Sequence, residues 1–94
     1  MWALLYDPRV RKRLLKIKNK DVIRRIKESA ERLQHAPYSG KLLQGYRGLR
    51  SKRIGTPHGE YRLIYLPIAE KREVLIILIG TREEVYELLK RSKI

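Results

Sequence analysis

The chain has 94 residues, which suits one small domain, residues 1–94, and is too short for two hydrophobic cores. Hydrophobic residues make up 43% and charged residues 35%, a composition that excludes general disorder. The formal net charge is +13, with 23 lysines and arginines against ten acids. So basic a surface favours a polyanionic partner: nucleic acid first, an acidic protein second and a membrane face third.

Several classes of protein are excluded by what the sequence lacks. It has no run of eighteen apolar residues, so we expect no membrane-spanning helix, and the apolar start at residues 2–6 is too short for a signal peptide. Cysteine is absent, and the two histidines, His35 and His58, lie far apart. We therefore expect no disulfide, no metal site, no cofactor and a cytoplasmic location.

The first half of the chain predicts a strand followed by two amphipathic helices. The apolar run at residues 2–6 ends at Asp7, which can cap a helix whose first residue is Pro8. Apolar residues then recur at helical spacing over residues 10–17 and 22–33, with cations on the opposite face. Two such helices with a short link predict an antiparallel αα-hairpin.

The second half predicts three strands and a final helix. Residues 49–54 and 61–66 are rich in strand-forming side chains, and the apolar run at 74–79 predicts a strand covered on both faces. Residues 55–59 predict a turn, and residues 83–91 a helix with acids first and cations last. The order β-α-α-β-β-β-α predicts an α+β fold. In it the αα-hairpin covers one face of a small antiparallel meander, and the first strand joins a sheet edge.

Strand alternation predicts a cationic surface on this sheet. Arg62 shares a strand face with Ile64 and Leu66, and an arginine there is poorly placed unless the face is wet or binds an anion. Arg82 directly follows the last strand, and Tyr86 comes one helical turn later. We therefore expect a cationic floor with a phenol beside it.

Three sequence blocks, taken together, resemble the RelE/ParE superfamily of type II toxins. They are residues 43–55, 61–65 and 79–86. They match a Leu-x-Gly segment with a basic strand, a Tyr-Arg-hydrophobic-hydrophobic-Tyr strand, and a Gly-x-Arg-x-x-x-Tyr segment. The element order matches as well, so the resemblance covers nearly the whole chain. It implies a RelE/ParE-like fold of the microbial-ribonuclease type and a cognate antitoxin protein as partner.

The resemblance also implies a ribosome-dependent endoribonuclease that cleaves mRNA in the A site without a metal. In such reactions the 2′-OH of the substrate attacks the adjacent phosphate, which requires proton transfer and stabilisation of transition-state charge. By the family pattern Arg62 and Arg82 would hold the scissile phosphate. Lys52 or Arg53 would lie beside the nucleophile, and Tyr86 would stack on a base or orient the 2′-OH.

The choice between Lys52 and Arg53 depends on the alignment of the basic strand. We expect Arg53, Arg62 and Arg82 to crowd Lys52, which makes Lys52 the better base, because like charge disfavours its charged form. The long predicted turn leaves this alignment open by one residue. Some relatives use Glu and His in catalysis, and His58 and Glu60 lie nearby in the sequence.

A second basic block lies on the predicted helices, where residues 9–27 hold ten basic residues and one acid. This density predicts contact with ribosomal RNA, the alternative being a solvated helix face. The residues expected to bind RNA or the ribosome are Arg9, Arg13, Lys16, Lys20, Arg24 and Lys27, together with Arg50 on the basic strand.

Two other functions stay open at this point. The same fold occurs in ParE-like inhibitors of DNA gyrase, a branch that generally does without the nuclease residues. The chain could also be a module that binds RNA or an antitoxin without catalysing a reaction.

Overall fold

The computed structural model describes residues 1–91. Its elements are β1 (Ala3–Tyr6), α1 (Pro8–Lys16), α2 (Lys20–Arg32), β2 (Lys41–Leu42), β3 (Arg50–Thr56), β4 (Gly59–Ile68), β5 (Glu73–Thr81) and α3 (Arg82–Arg91). The strands form one sheet in the order β1-β5-β4-β3-β2, with β1 parallel to β5 and the other pairs antiparallel. The predicted α+β fold, with its meander and its edge strand, is confirmed.

Two details of the predicted topology are wrong. The two-residue strand β2, which pairs with the start of β3, adds an element to the predicted order. The turn predicted at 55–59 is mostly strand, because Thr56 pairs with Gly59 and leaves only Pro57 and His58 between the strands. Gly59 has a φ of 113°, a conformation that L side chains rarely adopt, so the tight turn depends on glycine here.

Side-chain caps fix the starts of the first two helices. Asp7 accepts a hydrogen bond from the Arg9 backbone N–H at 2.8 Å, and Pro8 occupies the first helical position. Asn19 caps α2 by accepting from the backbone N–H groups of Asp21 and Val22. No helix within residues 1–91 is long and apolar enough to cross a membrane.

Both faces of the sheet are covered by apolar packing. On the α1/α2 face, Val10 and Ile26 of the helices join one core cluster with strand residues such as Tyr65. On the α3 face, Ile64 and Val85 belong to a second cluster that also includes residues of the loop between β2 and β3. Residues of β5 enter both clusters, which confirms the strand predicted to be covered on both faces.

Tyr65 holds the segment before β2 against the α1/α2 face. Its side chain is fully buried, and its hydroxyl accepts a hydrogen bond from the Gly40 backbone N–H at 2.8 Å. A Cβ on Gly40 would lie 2.6 Å from this hydroxyl oxygen and 3.0 Å from the Ser51 carbonyl oxygen. The approach therefore requires glycine at position 40.

Gly40→Ala is expected to lower the free energy of unfolding by about 1–3 kcal/mol, because the added methyl group overpacks the contact with Tyr65. Gly55→Ala is the matched control, since a Cβ there meets no heavy atom within 4 Å. It should change stability by less than about 0.5 kcal/mol. Urea unfolding measures both, and equal stability of the two variants would contradict the assigned contact.

Candidate active site

The register of β3 against β4 brings two predicted site residues face to face. Arg53 is paired directly with Arg62, and directly opposed residues of an antiparallel pair share a face of the sheet. Like charges in this position repel, so an anion between them is favourable. Glu60 supplies it: one carboxylate oxygen lies 2.7 Å from Arg53 Nη2, and the other accepts from Arg62 Nε at 2.8 Å.

The carboxylate of Glu60 stays charged between these two arginines. Burial raises the pKa of Glu60. The hydrogen bonds from Arg53 and Arg62 lower it by more than burial raises it, so the pKa lies below its ordinary value. The Arg62 side chain is 15% exposed and that of Arg53 is 72% exposed. Arg62 is therefore held in place, whereas Arg53 reaches into solvent.

A cleft of about 630 Å³ opens beside Arg62 on the α3 face, and we call it the basic cleft. Its lining residues are Lys41, Leu42, Leu43, Gln44, Ser51, Arg62, Arg82 and Tyr86. Arg62 comes from the sheet, and Arg82 and Tyr86 come from α3. The structure thus brings three sequence-predicted site residues around one space, and two of them carry guanidinium groups suited to phosphate oxygens.

The start of α3 positions Arg82 and Tyr86. Thr81 and Glu84 form a capping box, in which the Thr81 N–H donates to Glu84 Oε1 at 2.9 Å and the Glu84 N–H donates to Thr81 Oγ1 at 3.3 Å. Arg82 is the first residue of the helix, and Tyr86 lies one turn later on the same side. Tyr86 also packs against the apolar cluster of this face, so it is partly core and partly cleft wall.

Arg13 contacts the same helix start from α1. Its Nε donates to the Ile79 carbonyl oxygen at 2.9 Å, and its Nη2 lies 3.1 Å from Glu84 Oε2. These contacts join α1 to the end of β5 and to the cap of α3. The structure therefore uses Arg13, which was expected to bind RNA, to hold three elements together.

Lys52 lies on the opposite face of the sheet from the basic cleft. It is paired with Leu63, whose side chain belongs to the cluster on the α1/α2 face, and its Nζ is 3.4 Å from Ser39 Oγ. The expectation that Arg53 and Arg62 crowd Lys52 is therefore wrong. Of the two candidates on this strand, Arg53 is the one on the cleft face.

Arg50 shares the α1/α2 face with Lys52 and is engaged there. Its Nη1 donates to the carbonyl oxygens of Tyr38 at 3.1 Å and Gly40 at 2.8 Å, and its guanidinium carbon lies 5.1 Å from the centre of the Tyr38 ring. Arg50 thus fixes the segment between α2 and β2.

The helical cations expected to bind RNA divide into paired and unpaired groups. Arg9 and Arg24 form ion pairs with nearby acids. Of these cations, Lys16, Lys20 and Lys27 are exposed and form no ion pair in the described part of the chain. A polyanion could therefore reach these three lysines without breaking an existing contact.

A second cavity, of about 600 Å³, lies between the α1–α2 link and the β3–β4 turn. Two of its polar side chains contact each other, since Asn19 Nδ2 and His58 Nε2 are 2.7 Å apart. His35 is exposed beyond the end of α2. Within residues 1–91 no group of three or more His, Asp or Glu side chains is placed to hold a metal ion.

Comparison by sequence matches residues 4–86 to the family of the ParE toxin of type II toxin–antitoxin systems, parDE. No curated protein matches the chain significantly.

Comparison by structure finds RelE toxins. The isolated E. coli RelE toxin is 30% identical with a TM-score of 0.70, over 97% of this chain and 98% of that one. A chain of the intact E. coli RelBE toxin–antitoxin complex is 26% identical with a TM-score of 0.72, over 86% and 96%. A chain of the Mycobacterium tuberculosis RelBE2 toxin–antitoxin complex is 27% identical with a TM-score of 0.73, and the match covers 86% of this chain and 98% of that one.

Glu84→Gln is expected to lower the free energy of unfolding at neutral pH by about 0.3–1 kcal/mol, because it removes a negative charge from the first turn of α3. The hydrogen bond from the Thr81 backbone N–H lowers the pKa of Glu84 more than burial raises it. Because the folded pKa lies below the unfolded one, this stabilisation is present above the unfolded value and is lost as pH falls through the folded value.

Urea unfolding from neutral to strongly acidic pH should therefore show the gap between the wild type and Glu84→Gln closing on acidification. Glu70→Gln, at the exposed turn after β4, is the control and should follow the wild type throughout. A gap that stays constant with pH would contradict the charged cap.

Proposed function

Because the chain belongs to the RelE/ParE superfamily, as a toxin of a type II toxin–antitoxin system, we propose that it is an endoribonuclease that cleaves mRNA in the ribosomal A site. One observation carries the proposal: Arg62, Arg82 and Tyr86 line a single basic cleft. The proposed place of action is the cytoplasm, where the protein would meet translating ribosomes.

In the proposed reaction the 2′-OH of the mRNA attacks the adjacent phosphorus, and the bond to the 5′ oxygen of the next nucleotide breaks. The products are a cyclic phosphate and a 5′-OH. Negative charge grows on the phosphate oxygens in the transition state, and the guanidinium groups of Arg62 and Arg82 would bind those oxygens. Glu60 holds the Arg62 side chain, and the capped start of α3 fixes the backbone of Arg82, so both donors would be near their places before the charge develops.

Arg53 and Glu60 would support Arg62 in this reaction. In the free protein the Glu60 carboxylate aligns the Arg62 guanidinium through its contact with Nε, and the other guanidinium nitrogens stay available for phosphate. Arg53, on the same face, adds positive charge near the phosphate. Tyr86 would stack on a base or hydrogen-bond to the ribose from the opposite wall.

The proposed protein partner is a cognate antitoxin. RelE of E. coli and its counterpart in M. tuberculosis occur in toxin–antitoxin complexes. A net charge of +13 favours an antitoxin segment rich in acidic residues.

Arg62→Ala and Arg82→Ala are each expected to slow mRNA cleavage by about 100-fold or more, since each removes a donor to the transition state. Expression of the wild type should arrest growth, and primer extension should map cuts inside translated codons. Both variants should relieve the arrest. Lys71→Ala, which removes a charge at the opposite end of β4, is the control and should remain toxic.

Normal translation without cuts in cells expressing the wild type would refute the nuclease proposal. RNA binding that survives without any cleavage would indicate a binding module instead.

The ParE description of the matching family favours a second candidate, inhibition of DNA gyrase. A supercoiling assay with purified gyrase separates the two functions. Inhibition of gyrase by the wild type, with no RNA cleavage, would replace the nuclease proposal.

The unpaired lysines Lys16, Lys20 and Lys27 are proposed to contact ribosomal RNA. Changing all three to alanine should weaken ribosome binding and should reduce the slope of log affinity against log salt by about one for each phosphate that these lysines neutralise. Co-sedimentation with ribosomes at several salt concentrations measures this, with Lys71→Ala as the single-charge control. An unchanged slope would show that these lysines do not reach phosphates.

A further inference from the structure

The hydroxyl of Ser51 is buried without a hydrogen-bond partner. Ser51 is 5% exposed, and its Oγ is the only buried side-chain polar atom within residues 1–91 that has no partner. A buried hydroxyl in this state costs stability, because it has given up water and gained nothing in return. Such a group requires an explanation, and a ligand bound in the cleft is one.

Ser51 lies in the basic cleft. It is paired with Ile64 on β4, so its side chain shares the α3 face with Arg62, and it lines the same space. On the other side it is paired with Lys41 of the edge strand β2. Lys41 is exposed, lines the same cleft and has a long flexible side chain, so it can shift when a ligand enters.

The register separates Ser51 from the position of the phosphate. The Arg53–Arg62 pair lies two residues along the strands from Ser51, about 7 Å away. The Nε of Arg62 points toward Glu60. Along the strands, Glu60 and Ser51 lie on opposite sides of the Arg53–Arg62 pair. A ligand atom at the hydroxyl would then belong to the sugar or base beside the phosphate that Arg62 is proposed to bind.

We propose that Ser51 binds the nucleoside part of the RNA next to the scissile phosphate, through a hydrogen bond between its Oγ and a polar atom of the ribose or base. The inference rests on the proposed function, since it takes the basic cleft to be the RNA site. A hydroxyl both donates and accepts, so it can pair with the 2′-OH or with either kind of group on a base edge. The bound nucleotide supplies the partner that the free protein lacks.

The test uses the isolated full chain and two probes, an RNA tetranucleotide and inorganic phosphate, with binding measured by calorimetry or NMR titration. Ser51→Ala should weaken binding of the tetranucleotide by about three- to tenfold and leave phosphate binding unchanged. Arg62→Ala should weaken binding of both probes. The urea midpoint of Ser51→Ala should equal or exceed that of the wild type, because alanine removes an unpaired hydroxyl.

The outcomes separate this inference from the proposed function. Tetranucleotide binding that is weakened by Arg62→Ala but not by Ser51→Ala overturns the role of Ser51 and leaves the cleft as the RNA site. Binding unaffected by either variant overturns both. An equal loss of phosphate binding in Ser51→Ala overturns the assignment to the nucleoside. A lowered urea midpoint shows that the hydroxyl has a partner in the free protein and also refutes the inference.

Discussion

Arg53 and Arg62 face each other across β3 and β4, and the carboxylate of Glu60 lies between them. Two guanidinium groups in opposed positions repel, so this register is favourable only with an anion beside the pair. The protein provides its own anion, and the same contact holds the Arg62 guanidinium in place for the phosphate that it is proposed to bind. Every other part of the site is placed relative to this pair: Ser51 lies further along β3, and Arg82 enters from α3 beyond the end of β5.

The two faces of the sheet have separate tasks because they are covered differently. The α1/α2 face is closed by two helices, and the contact between Tyr65 and Gly40 holds the following segment against it. The α3 face is covered in part, and the basic cleft remains open beside the helix. Arg13 and the capping box fix that helix, so the cleft is built on rigid elements, as a preorganised site requires. The excess charge divides accordingly into exposed helical lysines and cleft arginines.

Much of this arrangement could be predicted from sequence because apolar periodicity sets which face of each element is buried. It predicted the antiparallel meander, a place at a sheet edge for the first strand, and the face of Arg62. It missed β2, since a two-residue strand has no period, and it misplaced Lys52, since a one-residue slip in register reverses the face of every side chain. The position of Ile54 indicates the correct face of Lys52. Ile54 is the large apolar residue of β3, and Lys52 lies two residues before it on the same, buried face. The orphaned Ser51 hydroxyl and the Glu60 contact follow from packing, which no local pattern reveals.

A structure of this protein on a ribosome whose A-site mRNA carries a 2′-O-methyl group, and so cannot be cleaved, would test the proposed RNA site directly. The phosphate following the modified nucleotide should lie within hydrogen-bond distance of the guanidinium groups of Arg62 and Arg82. The exposed lysines of α1 and α2 should lie against ribosomal RNA. Messenger RNA on the α1/α2 face beside Lys52, or binding of the protein outside the A site, would contradict the proposed site.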